Sequence, residues 1–421
     1  MTPRSTSASQ DAVSGARELM LELLMAGLKA VNGRLAVRSA LANTPMQQPV
    51  WVCAIGKAAE AMVLGASDVI GDRLDAGLVV TKLGHAEVPA LEGRGIRVRI
   101  GGHPVPNNGS LEAGQDLLTT LRTLPADAKL LFLISGGASS LVEAPVQGIG
   151  LPELQRVNTW LLGSGLPISA MNLVRKSLSL IKGGGLLRQL EGRSLRALAI
   201  SDVPGDLPEV IGSGLLTPEP DLAQRVGQLD LPDWLAAWVD RGIRERGSCQ
   251  PEMIAVEIVA NLSQAKLAIA AAARHRGLPV RLHEDRFKGD AATLGRDLAK
   301  ALLASERGLH IWGGEPTVQL PSSPGRGGRN QHLALAAAIE LAGHAGHFLL
   351  SAGSDGTDGP TEDAGALVDA DTLDRAEMTG LSAQAALSRA DAGTLLEASG
   401  DLVRTGPTGT NVMDIVLGLK T

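Results

Sequence analysis

The chain has no tyrosine, and its aromatic residues make up only 2% of 421 positions. Without aromatic platforms it has little on which to stack successive bases. A net charge of -6 supplies no basic face for a phosphate backbone. Both shortages argue against a nucleic-acid partner. Its two cysteines, Cys53 and Cys249, stand far apart and neither has a CxxC neighbour. That excludes a disulfide scaffold and a thiolate zinc site. The histidines lack the HxxxH spacing of a zinc site. No apolar run approaches membrane-spanning length, and the polar stretch Met1–Asp11 lacks the apolar core of a signal peptide. A cytoplasmic protein with no membrane partner is the expectation.

What is present is an ordinary globular balance, 44% hydrophobic and 20% charged. The length exceeds what one core usually holds, so two domains are expected, 1–245 and 246–421. Fifty-one glycines allow many tight turns and close backbone approaches, although a compositional bias toward Gly and Ala accounts for them equally well. Leu19, Leu23, Leu24, Leu28 and Val31 recur near a helical period within 11–32. Short apolar runs at 50–55, 77–81, 96–100, 130–134 and 195–200 read as strands, each punctuated by Gly or Pro or separated by a helical stretch. Such alternation predicts an α/β fold with a parallel sheet covered on both faces. The segment 217–251 breaks the rhythm with Pro218, Pro220, Pro232 and a charged stretch, and reads as the domain connection. Alternation then resumes, with strands predicted at 254–259, 280–283, 309–312, 317–320, 348–351 and 416–419.

The motifs with chemical promise sit where strands end. Gly325-Arg326-Gly327-Gly328-Arg329-Asn330-Gln331 opens an Ala/Leu-rich helix. First-turn N–H groups and the helix dipole favour an anion there. Ser354-Asp355-Gly356-Thr357-Asp358-Gly359 places two carboxylates in a turn that suits a divalent cation or a base for a hydroxyl. Ser135, Gly136, Gly137, Ala138, Ser139 and Ser140 follow the 130–134 strand and form either an anion nest or a tight strand-to-helix turn. Lys57 follows the 50–55 strand at a predicted helix start, where the dipole disfavours a cation; a bound phosphate or plain solvation would explain it. Asp202 and Asp206 flank a Pro-Gly turn, a metal or general-base position or an Asx-turn. His103 lies in a proline-restricted loop and reads as a hydrogen-bonded loop residue or a substrate contact. Gly313-Gly314-Glu315 and the small-polar turn 406–411 are weaker signals of the same kind. There is no Walker A sequence, no GxSxG elbow and no GxGxxG fingerprint.

In this order the motifs resemble the glycerate 2-kinase family, ATP-dependent kinases once named hydroxypyruvate reductases. The likeness runs from Gly56-Lys57-Ala58 through 135–140, Asn172-Leu173-Val174-Arg175-Lys176, 201–206, 313–317, 325–331 and 354–359 to 406–411. It implies a Rossmann-like N-terminal domain and a smaller α/β C-terminal domain, with the active site in a cleft that closes on its ligands. It also implies ATP, Mg2+ and transfer to the 2-hydroxyl of D-glycerate, in a monomer or homodimer. Lys57 and Arg329 would be catalytic, with Asp202 as metal ligand or base. Asp206, Glu315 and Asp355 are further metal candidates. Ser135 to Ser140, Gly313, Gly314 and Asn411 would contact the nucleotide. The competing readings are an NAD(P)-dependent hydroxypyruvate or tartronate-type reductase, which needs a dinucleotide fingerprint, and an acid-binding protein without catalysis.

Overall fold

A computed structural model of the chain describes residues 4–46, 49–190, 192–247 and 252–421. The chain divides into two compact units, one of Gly33–Ala260 and one of Met1–Asn32 together with Asn261–Thr421. This differs from the division expected at 245/246. One proline of the supposed connection marks a helix start instead: Pro232 stands at the N-cap of the helix Asp233–Arg246. That helix and Leu222–Gly227 pack on Ile168–Ser177. Leu173, Val174, Leu222, Val226, Leu235 and Val239 share one buried cluster. Cys249 and Pro251 lie outside the described residues.

The first unit holds six strands: β1 (Val50–Ile55), β2 (Leu74–Thr81), β3 (Ile96–Ile100), β4 (Lys129–Ile134), β5 (Leu195–Ile200) and β6 (Val256–Ala260). They form one sheet in the order β3-β2-β1-β4-β5-β6, with every pairing parallel. All six residues of β1 are buried, as a strand covered on both faces requires. Trp51 and Phe132, on neighbouring strands, meet edge to face at 6.3 Å. The strand order reverses between β1 and β4, and a doubly wound sheet opens its ligand crevice at such a reversal. Both Lys57 and Ser135 follow the strands that flank it.

The second unit is mixed. Its strands are β7 (Val280–Asp290), β8 (Gly308–Thr317), β9 (His347–Gly353), β10 (Gly365–Asp369), β11 (Leu402–Val403) and β12 (Asp414–Lys420). The order is β11-β10-β9-β12-β8-β7. Strand β12 runs antiparallel between β8 and β9, while β7 and β8 are parallel. The helix Arg329–Leu341 is buried nearly all round, which its Ala/Leu composition permits. The N-terminal helix Arg4–Ala30 packs on Leu262–His275. Met20, Leu23, Leu24, Leu28 and Val31 are buried. Arg17 locks the helix to this unit through Asp369 at 2.5 Å and Asp401 at 2.8 Å. Asn32 adds a hydrogen bond to the Thr408 carbonyl at 2.9 Å. Among the described residues no helix is long and apolar enough to cross a membrane.

Candidate active site

At the strand-order reversal the two turns are sewn together by main-chain bonds. The Lys57 N–H donates to the Gly136 carbonyl at 2.9 Å, and the Ser135 N–H to the Ile55 carbonyl at 2.9 Å. Ser135 Oγ accepts from the Ala58 N–H at 3.1 Å. Gly56 makes this fit possible: its φ is +129°, and a Cβ there would lie 2.2 Å from Ser135 Oγ. His85 Nδ1 meets the Lys57 carbonyl at 3.1 Å. Gly137, also at positive φ, begins the short helix Ala138–Leu141. Among the described residues the N–H groups of Gly136 and Gly137 donate to no backbone acceptor. A nest would turn such N–H groups toward an anion.

The turn after β5 closes the neighbouring side. Ser213 Oγ lies 2.7 Å from Ser139 Oγ. Asp206 accepts from Ser201 Oγ at 2.7 Å. Asp202 and Asp206 are partly exposed, and His103 is exposed in the loop after β3. Lys57, Ser135 to Ser140 and the pair Asp202 and Asp206 therefore all follow the carboxyl ends of β1, β4 and β5, which are adjacent strands. By contrast, the basic residues of the 172–176 motif serve the scaffold. Lys176 is buried and paired with Glu219 at 2.5 Å. Arg175 bonds Asn158 and Asn172, each at 3.2 Å, and burial lowers its pKa.

In the second unit the expected anion at the start of Arg329–Leu341 turns out to be the protein's own. Asp358 accepts from the N–H groups of Asn330 at 3.0 Å and Gln331 at 2.8 Å. Burial pushes its carboxyl up to about 7, against the pull of those hydrogen bonds. Arg326, the other arginine of the motif, is structural. It pairs with Asp363 at 2.8 Å and also with Glu397.

Arg329 is gripped by two carboxylates. Its Nε and Nη2 donate to Asp414 at 2.6 and 3.1 Å, and its Nη1 donates to Glu315 at 2.7 Å. Burial alone would lower the Arg329 pKa, but Asp414, Glu315 and Asp358 outweigh it and raise it. The sheet register produces this arrangement, because Asp414 at the start of β12 pairs with Gly314 on β8 and Gly353 on β9. Glu315 and Asp355 belong to the same edge. Asp355 is buried and accepts from the Thr357 N–H at 2.9 Å and Oγ1 at 3.0 Å, an Asx-turn. Gly314 lies against the β7 backbone, where a Cβ would sit 2.1 Å from the Phe287 carbonyl, so packing alone demands a glycine. Asn411 is buried in the loop before β12. That loop folds over Ser354, whose Oγ accepts from the Val412 N–H at 2.7 Å.

The sequence gives Asp414 no role, and it offers Asp358 only jointly with Asp355, as a cation ligand or a base, not as the cap of the Arg329 helix. Asp414 follows Asn411-Val412-Met413 with no spacing that ties it to Arg329; only the strand pairing does. Asp358 carries a signal, a carboxylate in a glycine-rich turn, but its partner N–H groups lie 28 and 27 positions earlier.

Two family signatures match the chain: a domain of unknown function (DUF4147) over residues 19–230 and the MOFRL family over 308–414. A D-glycerate 2-kinase of Thermotoga maritima is 34% identical over 96% of this chain and 98% of its own length. A protein of Agrobacterium vitis that bears a hydroxypyruvate reductase name is 39% identical over 95% of this chain and 93% of its own. The crystal structure of glycerate kinase from Thermotoga maritima superposes with a TM-score of 0.82 at 33% identity, covering 97% of this chain and 100% of that one.

Proposed function

The chain belongs to the glycerate kinase family, and we propose that it transfers the γ-phosphoryl group of ATP to the 2-hydroxyl of D-glycerate, giving 2-phospho-D-glycerate and ADP. The observation that carries this reading is the near full-length likeness to a D-glycerate 2-kinase, joined to a phosphate-ready turn at the strand-order reversal. In the reductase reading the turn after β1 would carry a dinucleotide fingerprint. Here that turn is Gly56-Lys57-Ala58, and it offers a cation.

Phosphoryl transfer asks for positioning and for positive charge where the transferring oxygens gather negative charge. The N–H groups of Gly136 and Gly137 would receive phosphate oxygens, with Lys57 supplying charge beside them. Arg329 would supply a second positive group, already ionised and held. Asp202 would accept the proton of the attacking hydroxyl or hold the metal. Among the described residues no three metal-ligating side chains come together. That fits Mg2+, which keeps waters and binds through one or two carboxylates plus phosphate oxygens. Asp202 and Asp206 suit this better than Glu315, which is engaged by Arg329, or Asp355, which is turned into its own loop. We place the enzyme in the cytoplasm, acting on a free small acid.

Purified protein incubated with D-glycerate and ATP/Mg2+ should give a 2-phosphate signal by phosphorus NMR. A pure 3-phosphate product would overturn the regiochemistry, and turnover of NADH with hydroxypyruvate would overturn the reaction class.

A further inference from the structure

The two edges of the Arg329 guanidinium are held in unlike ways. The Nε/Nη2 edge is bound twice by one carboxylate, Asp414, whose side chain is only 2% exposed. The Nη1 corner meets Glu315, whose side chain is 50% exposed. Parting Arg329 from Asp414 would strand a buried charge, which is strongly unfavourable. Parting it from Glu315 releases a carboxylate already half in water, where an ion pair contributes little. Of the two contacts, that to Glu315 is the less costly to give up.

The backbone adds a second constraint. Asp358 holds the N–H groups of Asn330 and Gln331, immediately after Arg329, so the helix start cannot drift. Asp414 opens β12 in register with Gly314, the neighbour of Glu315. Both carboxylates therefore come from adjacent strands at fixed separation, and the arginine is ordered before any ligand arrives. Such preorganisation is what electrostatic catalysis requires.

We propose that Asp414 is the positioning residue of Arg329, and that Glu315 is a placeholder carboxylate which the anionic group of nucleotide or acid displaces from the guanidinium on binding. This rests on the reading of Arg329 as the catalytic arginine. Glu315 is then a competitor of the ligand, and its charge is a brake on binding.

Two variants test it. Glu315→Gln removes the competing charge, so calorimetric titration with inorganic pyrophosphate should give binding about two- to fivefold tighter than in the unaltered protein. Unchanged or weaker binding would overturn the placeholder role. Asp414→Asn should lower kcat on the order of 10²-fold while KM for glycerate and ATP stays within about twofold, the pattern of a misplaced stabiliser. A normal kcat, or a loss confined to KM, would overturn the positioning role. Should Asp414→Asn fail to fold, Asp414→Glu carries the same kcat-against-KM test of positioning, and the Glu315→Gln titration still decides the placeholder role. If the protein phosphorylates no glycerate while Glu315→Gln tightens pyrophosphate binding, the function fails and the grip on Arg329 stands. If it phosphorylates glycerate while Glu315→Gln leaves pyrophosphate binding unchanged, the function stands and the placeholder role fails.

Discussion

At the ends of β1 and β4 the proposed ligand contacts are main-chain amides and one lysine. At the ends of β8 and β9 and the start of β12 they are side-chain charges locked to one another. The first arrangement depends on backbone conformation, since Gly56 must bring the Lys57 N–H onto the Gly136 carbonyl. The second depends on ionisation, since Arg329 is held by Asp414 and Glu315. One arrangement should therefore be sensitive to volume and the other to charge.

The largest expected effects come from the cations themselves. Lys57→Ala and Arg329→Ala should each lower kcat by about 10²-fold or more, the scale of losing one electrostatic stabiliser. The comparison separates them by stability. Arg329→Ala leaves Asp414 buried without its cation, which costs about 3 kcal/mol. Urea unfolding should show that loss for Arg329→Ala and only a small change for Lys57→Ala. Equal losses would erase the distinction.

A methyl group tests the other side. Gly56→Ala would force a Cβ to 2.2 Å from Ser135 Oγ at a φ of +129°. We expect a stability loss of about 1–3 kcal/mol, together with weaker nucleotide binding, measured by urea unfolding and calorimetry. An alanine variant of normal stability and affinity would show that the joint between the two turns is slack.

A pH slope tests the buried carboxylate that caps the Arg329 helix. Burial raises the Asp358 carboxyl to about 7 from an ordinary value of 3.8. Its folded pKa exceeds its unfolded one, so the folded state binds the extra proton between these values. This contribution is fully present below about pH 4 and is lost as pH rises through about 7. Asp358→Asn should flatten that part of the stability profile in urea titrations. A profile identical to that of the unaltered protein would move the titration elsewhere.

The parallel sheet was legible because its inner strands β1 and β4 are buried on both faces and almost continuously apolar, while the edge strand β3 alternates apolar and charged residues. The predicted limits of β1, β3 and β5 agree with the structure to the residue. The mixed sheet was less legible. The sequence marks β7 and β8 only over their apolar starts, and their polar ends, with Glu315 among them, carry the pattern of a loop or a separate strand. β10 and β11 were not foreseen, the latter being two residues long. Of the site, Lys57, the 135–140 turn and Arg329 stood out because glycine and charge at strand ends are local signals. The Arg329–Asp414 pair spans 85 positions. No local pattern encodes it; it exists because β12 inserts between β8 and β9.

The N-terminal helix carries a consequence for biosynthesis. Its apolar side, with Met20, Leu23, Leu24 and Leu28, is buried in a unit whose other residues begin at Asn261. The ribosome must first deliver the whole of Gly33–Ala260. At translation rates of about 5–20 residues per second, that leaves the helix waiting roughly ten seconds to most of a minute. The intervening unit is sequence-continuous and has time to fold during this interval. A stalled nascent chain ending before Asn261 would display the leucine stripe to solvent, and so present a chaperone-accessible segment that the finished protein does not.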